Sequence, residues 1–354
     1  MKTIPLMSSS DYAISLASVK AAAERINGFA HRTPVLTCHA LETIATGENE
    51  TPKQLFFKCE NLQKVGAFKY RGALNAVKKF LQENEQTSTT FVTHSSGNHA
   101  QALSLAARDA NCNAVIVMPN NAPVVKQSAV RGYGAQVLLC EPTNEAREKM
   151  ANEVVKDTGA RFVHPSNDPD VMSGQGTVAL ELLEQAKDEY GVELDAIIVP
   201  IGGAGLCSGV AMAAKCIDLT MLPTISQSLK PGIKVFAVEP TGAADAYNSF
   251  QKGELMGHTG PVNTVADGLR TTLGDNNWPI VRDFVDEILL VSDEEIVSAM
   301  KLIWERMKLV VEPSGAVATA AVLAHKLPKG INNVGIVFSG GNVDLEKLPW
   351  MSKA

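Results

Sequence analysis

An apolar run that ends in a glycine-rich turn places the strongest constraint on this chain. Asp195–Pro200 is apolar after its first residue, and Gly202-Gly203-Ala204-Gly205 follows almost at once, before a helical pattern over Leu206–Cys216. A strand that is apolar on both faces is typical of parallel sheets that helices cover on both sides. The sequence therefore predicts a parallel strand whose carboxyl end opens into a helix.

The same pattern of a short strand followed by an amphipathic helix recurs along most of the chain. Strands are predicted at Gln54–Lys58, Thr90–His94, Ala114–Met118, Gln136–Cys140, Arg161–His164, Asp195–Pro200, Lys234–Val238 and Val334–Phe338. Helices are predicted at Ser15–Asn27, Asn98–Asp109, Val124–Gly132, Asn144–Thr158, Gly176–Tyr190 and Leu206–Cys216. This alternation indicates an α/β fold with open, doubly wound sheets.

Two adjoining sheets account for the alternation better than one. The region from about Thr90 to His164 carries four strand–helix signals and is expected to form a small sheet. We therefore predict a large domain from residues 1–85 and 168–354, and a small domain, residues 86–167, inserted in it. Ligands of such folds bind at the carboxyl ends of the strands, where the chemistry is to be sought.

Composition argues against several classes of function. The 354 residues carry a net charge of −6 and no Lys/Arg-rich run, so neither a nucleic acid nor an anionic membrane is an expected partner. No apolar run approaches the roughly 20 residues of a membrane span, and Met1–Ser10 lacks the apolar core of a secretory signal. The six scattered cysteines lack C-x-x-C spacing, which is typical of free thiols in a reducing cytoplasm.

Lys69 is the candidate for covalent chemistry. It lies in Gly66-Ala67-Phe68-Lys69-Tyr70-Arg71-Gly72-Ala73, at the start of a helical pattern and among small or apolar residues. Partial desolvation lowers the pKa of an amine and makes it available for imine formation. A solvated lysine on a helix face is the alternative that this segment alone leaves open.

Three strand ends carry signals for ligand binding. Ser95-Ser96-Gly97-Asn98-His99 either caps a helix through Ser96 or Asn98 or binds a carboxylate or phosphate. The glycines after Pro200 match neither G-x-G-x-x-G nor a P-loop, and they predict a backbone cradle for a phosphate, with a tight packed turn as the alternative. Ser339-Gly340-Gly341-Asn342 places a hydroxyl at the last strand end, or marks a turn.

Together these groups match what pyridoxal 5′-phosphate needs from a protein. The motifs that carry a family resemblance are Ala67–Val77, Thr93–His99, Gly202–Gly205, Trp304–Leu309 and Ser339–Asp344. On these motifs the chain resembles the fold-type II pyridoxal-phosphate family, and within it the serine racemases of eukaryotes, with threonine dehydratases as close relatives. The resemblance covers about Ile14 to Leu345 and implies two open, twisted, mostly parallel sheets flanked by helices.

The resemblance assigns a role to each site residue. It implies that Lys69 holds the cofactor and moves a proton on one face of the substrate Cα, while Ser96 serves the opposite face. The implied cofactor-binding residues are Phe68, Lys69, Asn98, Gly202, Gly203, Ala204, Gly205, Leu206 and Ser339. The implied substrate-binding residues are Ser95, Ser96, Asn98, His99 and Arg147. Because Ala204 replaces a usual glycine, we expect no positive φ there.

A cation, a nucleotide and a second subunit are also implied by the resemblance. Mg²⁺ or Ca²⁺ would be bound by the carboxylates of Glu239 and Asp245 and the carbonyl of Ala243, which are hard oxygen ligands. A homodimer would bind ATP as an allosteric activator at its interface. The matching nucleotide positions are Lys64, Gln101, Tyr133 and Asn342, while Cys38 and His39 replace usual serines near that site.

The expected activity is interconversion of L- and D-serine, with β-elimination of serine to pyruvate and ammonia as a side activity. A dedicated L-serine/L-threonine dehydratase is the main alternative, but such enzymes often have Ala in place of Ser96. An aspartate racemase or 3-hydroxyaspartate dehydratase is a further alternative that depends on Pro165-Ser166-Asn167-Asp168; Asp168 would disfavour a second substrate carboxylate if it faced the site. Lys69 and Ser96 together argue against a non-catalytic binding protein on the same fold.

Overall fold

The computed structural model describes residues 12–48, 51–85, 89–217 and 232–351, so the Met1–Ser10 segment lies outside the described residues. The ten strands of the described residues form one six-stranded and one four-stranded sheet. The strands are β1 Val35–Leu36, β2 Gln54–Cys59, β3 Thr90–His94, β4 Asn113–Pro119, β5 Gln136–Cys140, β6 Arg161–Phe162, β7 Ala196–Pro200, β8 Lys234–Pro240, β9 Glu287–Val291 and β10 Asn333–Phe338. The predicted α/β class with two mostly parallel sheets is confirmed.

Helices flank both sheets. They are α1 Leu16–Ile26, α2 His39–Ala45, α3 Lys69–Glu83, α4 Asn98–Asp109, α5 Val124–Gly132, α6 Asn144–Thr158, α7 Pro169–Tyr190, α8 Gly205–Cys216, α9 Asp245–Lys252, α10 Trp278–Phe284, α11 Asp293–Leu302 and α12 Pro313–Leu323. A π-helical turn, Ile303–Met307, continues α11. Within the described residues no helix is long and apolar enough to cross a membrane. All six cysteines are free thiols.

The larger sheet has the strand order β1-β2-β10-β7-β8-β9, and only the β1–β2 pair is antiparallel. All five residues of the central strand β7 are buried. Ile197 and Val199 pack into one hydrophobic core, while Ala196 and Ile198 pack into a second core on the opposite face. A continuous apolar run is therefore required at β7, since side chains alternate between two buried faces.

The smaller sheet has the order β5-β4-β3-β6, and all its strands are parallel. Its strands lie between residues 90 and 162, where the four strand–helix signals predicted a separate sheet. The domain boundaries at 85/86 and 167/168 stay a prediction. In both sheets the carboxyl ends of central strands lead into loops that begin helices, and these loops contain the predicted site residues.

Helix α7 begins seven residues before the predicted start at Gly176. The side chain of Asp168 caps its first turn by accepting hydrogen bonds from Asp170 N at 2.9 Å and Val171 N at 3.4 Å. Gly174 and Gly176 discouraged a helix from sequence alone. A Cβ on Gly174 would lie 2.6 Å from Gly72 Cα, so the glycines permit close helix packing.

Candidate active site

Lys69 is the first residue of α3 and lies beside the carboxyl end of β10. The preceding Phe68 donates its backbone N–H to the carbonyl of Ser339 over 3.1 Å, and Ala67 forms a bridge with Gly340. The hydroxyl of Ser339 is buried and donates to the carbonyl of Ser314 over 3.3 Å. Main-chain pairing thus brings the predicted lysine and the predicted strand-end serine to one place.

The amine of Lys69 is held in a weakly solvated position. Its Nζ donates to the carbonyl oxygen of Pro165 over 2.7 Å and lies 5.1 Å from the centre of the Phe68 ring. Burial lowers the pKa of Lys69 from 10.5 to about 8, as predicted from its small and apolar neighbours. A substantial fraction of the amine is therefore unprotonated near neutral pH and able to act as a nucleophile or base.

A buried ion network fixes the direction of α3. The guanidinium of Arg71 donates to both oxygens of Glu60, at 2.7 and 2.8 Å, and to both oxygens of Glu181, each at 2.7 Å. Lys58 on β2 donates to Glu181 over 2.7 Å as well. Because paired Arg–carboxylate contacts are geometrically specific, this network orients the helical turn that carries Lys69.

The glycine loop, Gly202–Gly205, joins β7 to α8. A Cβ on Gly203 would lie 2.4 Å from Ser166 Oγ, and one on Gly205 would lie 2.8 Å from the Ser166 carbonyl oxygen. Side chains at these positions would therefore displace Ser166. No side-chain hydrogen bond caps the start of α8. Free N–H groups at the start of a helix are suited to binding an anion.

The expectation that Ala204 needs no positive φ is wrong. Ala204 has a φ of 63° and a ψ of 4°, which is the left-handed region. The chain turns from β7 into α8 within a few residues, and this residue provides the reversal immediately before the helix. An alanine in this region costs about 1–2 kcal/mol, so the surrounding structure must impose the conformation.

The serine loop, Ser95–Asn98, joins β3 to α4 in the smaller sheet. Gly97 precedes the first helical residue, and no side-chain hydrogen bond caps this helix, so the predicted capping by Ser96 or Asn98 is wrong. Ser95 Oγ accepts the N–H of Gly97 over 3.3 Å. Ser95 and Ser96 are half-buried, and their hydroxyls line the open side of the loop rather than close the helix end.

Asn98 connects the serine loop to the end of β10. Its Nδ2 donates to Glu312 Oε1 over 2.7 Å, and its Oδ1 accepts from Asn342 Nδ2 over 2.9 Å. Glu312 is buried, which raises the pKa of its carboxyl from 4.5 to about 8. A Cβ on Gly340, next to Ser339, would lie 2.4 Å from Glu312 Oε1. Asn98 and Ser339 therefore belong to one site.

Three histidines surround the Lys69 amine. Burial is the main cause that lowers the pKa of each, well below 6.5 for His99 and to about 4 for His164, and the charge of Lys69 acts in the same direction on both; burial also lowers the pKa of His94. His99 Nε2 donates to Val163 O over 3.2 Å. The rings are therefore neutral near pH 7 and add no positive charge beside the lysine.

The loop that follows β6 is held away from substrate at two of its polar residues. Asn167 accepts the N–H of Asn276 over 3.0 Å and donates to Asp275 over 2.6 Å. Asp168 caps α7 and pairs with Arg161 over 2.8 Å. The Asp168 carboxylate is thus occupied in the helix cap, so the condition under which it would repel a second substrate carboxylate is not met.

The predicted cation ligands are two neighbouring buried carboxyls. Glu239 accepts the N–H groups of Ala246 and Tyr247 at 3.0 and 2.8 Å. Asp245 Oδ2 accepts the N–H of Leu273 over 2.7 Å, while its Oδ1 has no hydrogen bond and lies 3.3 Å from His258 Nδ1. Burial first, and then the charge of Asp245, raise the pKa of Glu239 to about 8.

A cation at this position would need more than side-chain ligands. In the described ranges no group of three or more His, Cys, Asp or Glu residues is arranged to hold a metal. Ala243 is buried in the short 3₁₀ turn Thr241–Ala243, between β8 and α9. Its carbonyl and water would have to complete the shell, which suits Mg²⁺ or Ca²⁺ better than zinc.

A family model described as pyridoxal-phosphate dependent enzyme matches residues 26–340. The chain belongs to this family. Serine racemase of Arabidopsis thaliana is 48% identical over 343 residues, covering 95% of this chain and 96% of the relative. The crystal structure of serine racemase from Dictyostelium discoideum has a TM-score of 0.82, 46% identity, and coverage of 94% and 100%. A crystal structure of a threonine deaminase from T.th. has a TM-score of 0.83, 40% identity, and coverage of 94% and 99%.

The residues present fit the cofactor of this pyridoxal-phosphate family. Lys69 supplies an amine of lowered pKa. The start of α8 has uncapped N–H groups at the glycine loop. The hydroxyl of Ser166 beside that loop is buried and has no hydrogen-bond partner among the described residues. A bound phosphate ester would supply the missing acceptors for both sets of donors.

The remaining predicted residues are spread more widely. Arg147 lies in α6, where its Nε donates to Thr143 O over 3.3 Å, and its charge contributes, after burial, to the lowered pKa of His94. Its contact with a substrate carboxylate stays a prediction. Leu206 is buried in the first turn of α8.

The four predicted nucleotide positions lie at different points along α4. Lys64 Nζ is 3.5 Å from Asp109 Oδ2, and the Tyr133 ring lies 5.7 Å from the Arg108 guanidinium, at the end of this helix. Asn342 contacts Asn98 at its start, about 17 Å away by helix rise. Gln101 is half-buried in the first turn. His39 Nδ1 lies 3.7 Å from Glu42, and Cys38 directly precedes α2.

Sequence reasoning missed Glu312, His94 and His164 as site residues. Glu312 is the only charged residue between Lys308 and Lys326, and an isolated acid in an apolar stretch was an available signal. The histidines adjoin predicted strand ends, as the selected serines do. Their importance depends on which strand ends meet, and the sequence alone does not give that information.

Proposed function

We propose that this chain interconverts L- and D-serine with pyridoxal 5′-phosphate, by moving the α-proton between Lys69 and Ser96 on opposite faces of the substrate. The observation that carries the proposal is the junction of Lys69, Ser339 and Asn98 at the end of β10, which brings the serine loop of one sheet to the lysine of the other. Relatives at 46–48% identity, named serine racemases, support the choice of substrate.

Each part of the site has a separate task in this proposal. The glycine loop with Leu206 binds the cofactor phosphate, Phe68 supports the ring, Ser339 faces the ring nitrogen, and Asn98 faces the ring hydroxyl. The bound cofactor withdraws electrons from the substrate Cα and so makes its proton more acidic. The substrate carboxylate is bound by Ser95, Ser96, Asn98 and His99, with Arg147 nearby.

Two proton-transfer groups are needed because racemisation removes a proton from one face and returns one to the other. Lys69, with a pKa of about 8, can exist as free amine or ammonium near neutral pH, which suits a general base and acid. Ser96 provides a hydroxyl from the serine loop. One base alone would mostly return the proton to the face from which it came.

Loss of the β-hydroxyl competes with return of the proton. Once the α-proton is removed, serine can expel its hydroxyl as water, and hydrolysis of the product gives pyruvate and ammonia. The threonine deaminase structure at 40% identity supports a dedicated dehydratase as the second candidate function. That candidate requires Lys69 but gives Ser96 no role in proton transfer.

The deciding experiment is a dual assay. The purified protein is incubated with L-serine, pyridoxal 5′-phosphate and Mg²⁺, and D-serine and pyruvate are quantified in the same tube. Both products are expected. Pyruvate without D-serine would establish the dehydratase instead. Neither product would direct the search to aspartate and 3-hydroxyaspartate.

The proposed cation is Mg²⁺ or Ca²⁺ bound by Glu239, Asp245 and the Ala243 carbonyl. Because the folded-state pKa of Glu239 lies near 8, above its ordinary 4.5, the metal-free protein loses stability as pH rises between these values. A cation offsets the exposed charge, so Mg²⁺ should raise Tm more at pH 8.5 than at pH 6.5. Asp245→Asn should remove this difference; an equal Mg²⁺ effect at both pH values would contradict the site.

The further proposals concern assembly and location. We propose a cytoplasmic homodimer in which ATP binds at an interface through Lys64, Gln101, Tyr133 and Asn342 and activates the enzyme. Sedimentation would measure the dimer. Titration with ATP of the wild type and of Lys64→Ala would test activation, and an unchanged rate in the wild type would remove ATP from the account.

A further inference from the structure

Ser166 has a buried hydroxyl that the rest of the protein leaves unsatisfied. The residue is 5% exposed, and its Oγ has no hydrogen-bond partner among the residues that the structure describes. Buried hydroxyls are nearly always paired, because leaving one unpaired forfeits its hydrogen bond to water. A ligand that brings an acceptor to this position would recover the lost interaction.

The hydroxyl is directed at the glycine loop. A Cβ on Gly203 would lie only 2.4 Å from Ser166 Oγ and 3.0 Å from Ser166 Cβ. A Cβ on Gly205 would lie 2.8 Å from the Ser166 carbonyl oxygen. Ser166 therefore packs along the same two residues whose backbone leads into the uncapped start of α8.

The backbone of Ser166 is fixed on both sides. Its N–H donates to His164 Nδ1 over 3.2 Å, and its carbonyl accepts from Asn277 Nδ2 over 3.1 Å. The adjacent carbonyl of Pro165 accepts from Lys69 Nζ. One short segment thus contacts both the reactive amine and the glycine loop, so its hydroxyl is already oriented before a ligand binds.

We propose that the Ser166 hydroxyl donates a hydrogen bond to the phosphate of pyridoxal 5′-phosphate bound on the glycine loop. The backbone amides of this loop and of the start of α8 are donors only, and a hydroxyl can add another donor for a phosphate oxygen. This inference rests on the phosphate-binding role proposed above for the glycine loop. It makes no use of the substrate or of racemisation.

The test compares two forms of the cofactor on the apoprotein. Wild type, Ser166→Ala and Thr319→Val are titrated with pyridoxal 5′-phosphate and with pyridoxal, which lacks the phosphate, and binding is followed by absorbance. Thr319→Val is the matched control because Thr319 in α12 also has a buried, unpartnered hydroxyl. Ser166→Cys, which keeps a side chain but only a weak donor, is measured beside them.

The expected result is a roughly tenfold loss of pyridoxal 5′-phosphate affinity in Ser166→Ala and Ser166→Cys, the lower end for a charge-assisted hydrogen bond. Pyridoxal affinity should not change, and Thr319→Val should match the wild type. Equal losses for both ligands would overturn the proposal in favour of a ring contact or a packing effect, and unchanged affinity for both would overturn it outright. Binding is read without serine, so an absence of D-serine formation in the dual assay is a separate result.

Discussion

The glycine loop after β7 and the serine loop after β3 have the same local topology but opposite chemical character. Each joins the carboxyl end of a parallel strand to an uncapped helix. The glycine loop is buried, and side chains at Gly203 or Gly205 would collide with Ser166. The serine loop is half-buried, and a Cβ on Gly97 would meet nothing within 4 Å.

This difference matches two kinds of ligand. Backbone N–H groups in a buried, tightly packed loop bind one fixed group such as a phosphate and remain in place between turnovers. Hydroxyl and amide side chains in a more open loop can hold a substrate that must enter and leave. Lys69 lies between the two loops, through Pro165 on one side and the end of β10 on the other.

The largest effect is expected from Lys69→Ala, which removes the group that both loops serve. Formation of D-serine and of pyruvate should each fall by at least about 10³-fold, in line with loss of a nucleophile and general base. Lys78→Ala in the same helix is the control and should retain activity. Product quantification with both variants checks this, and residual pyruvate at wild-type rate would remove Lys69 from the mechanism.

Gly203→Ala tests the buried loop. Its new methyl group would lie 2.4 Å from Ser166 Oγ, and overpacking of this kind typically costs about 1–3 kcal/mol. We expect a lower Tm and a loss of roughly tenfold or more in pyridoxal 5′-phosphate affinity. Gly132→Ala in α5, where a Cβ meets nothing within 4 Å, is the control. Unchanged cofactor binding in Gly203→Ala would show that the loop is looser than described.

A smaller effect is expected from pH. The folded-state pKa of Lys69 is near 8, below its ordinary 10.5, so the apoprotein binds fewer protons than the unfolded chain between these values. Stability attributable to this group therefore rises with pH across that window. The rate at which the apoprotein captures pyridoxal 5′-phosphate should rise through a midpoint near pH 8. Stopped-flow absorbance would measure it, and a midpoint above 10 would mean that the amine is not desolvated.

Much of the fold could be predicted because the chain repeats one simple pattern. Thr90–His94 and Gln136–Cys140 were predicted with their observed bounds, since each is a short apolar run followed by a helical pattern. Strands β1 and β9 were missed. The first has two residues and depends on pairing with β2, and the second is an edge strand whose Glu287 is exposed. Neither has a strong local signal.

The candidate site was predictable where a residue type implies its own chemistry, as with Lys69 and the glycines. It was not predictable where the role depends on contacts across the fold. Ala204 adopts a positive φ because the turn between β7 and α8 requires it, and Glu312 matters because α12 begins beside Asn98. These positions are set by tertiary structure, which overrides local preference.

The most direct test of the account is the Ser96→Ala variant, assayed for D-serine and pyruvate in one tube from L-serine, with Ser95→Ala beside it. The account predicts that Ser96→Ala loses D-serine formation by about 10²-fold or more and still releases pyruvate, because Lys69 serves its own face of the substrate. D-serine formation at the wild-type rate in Ser96→Ala would contradict the division of the two faces between the two loops.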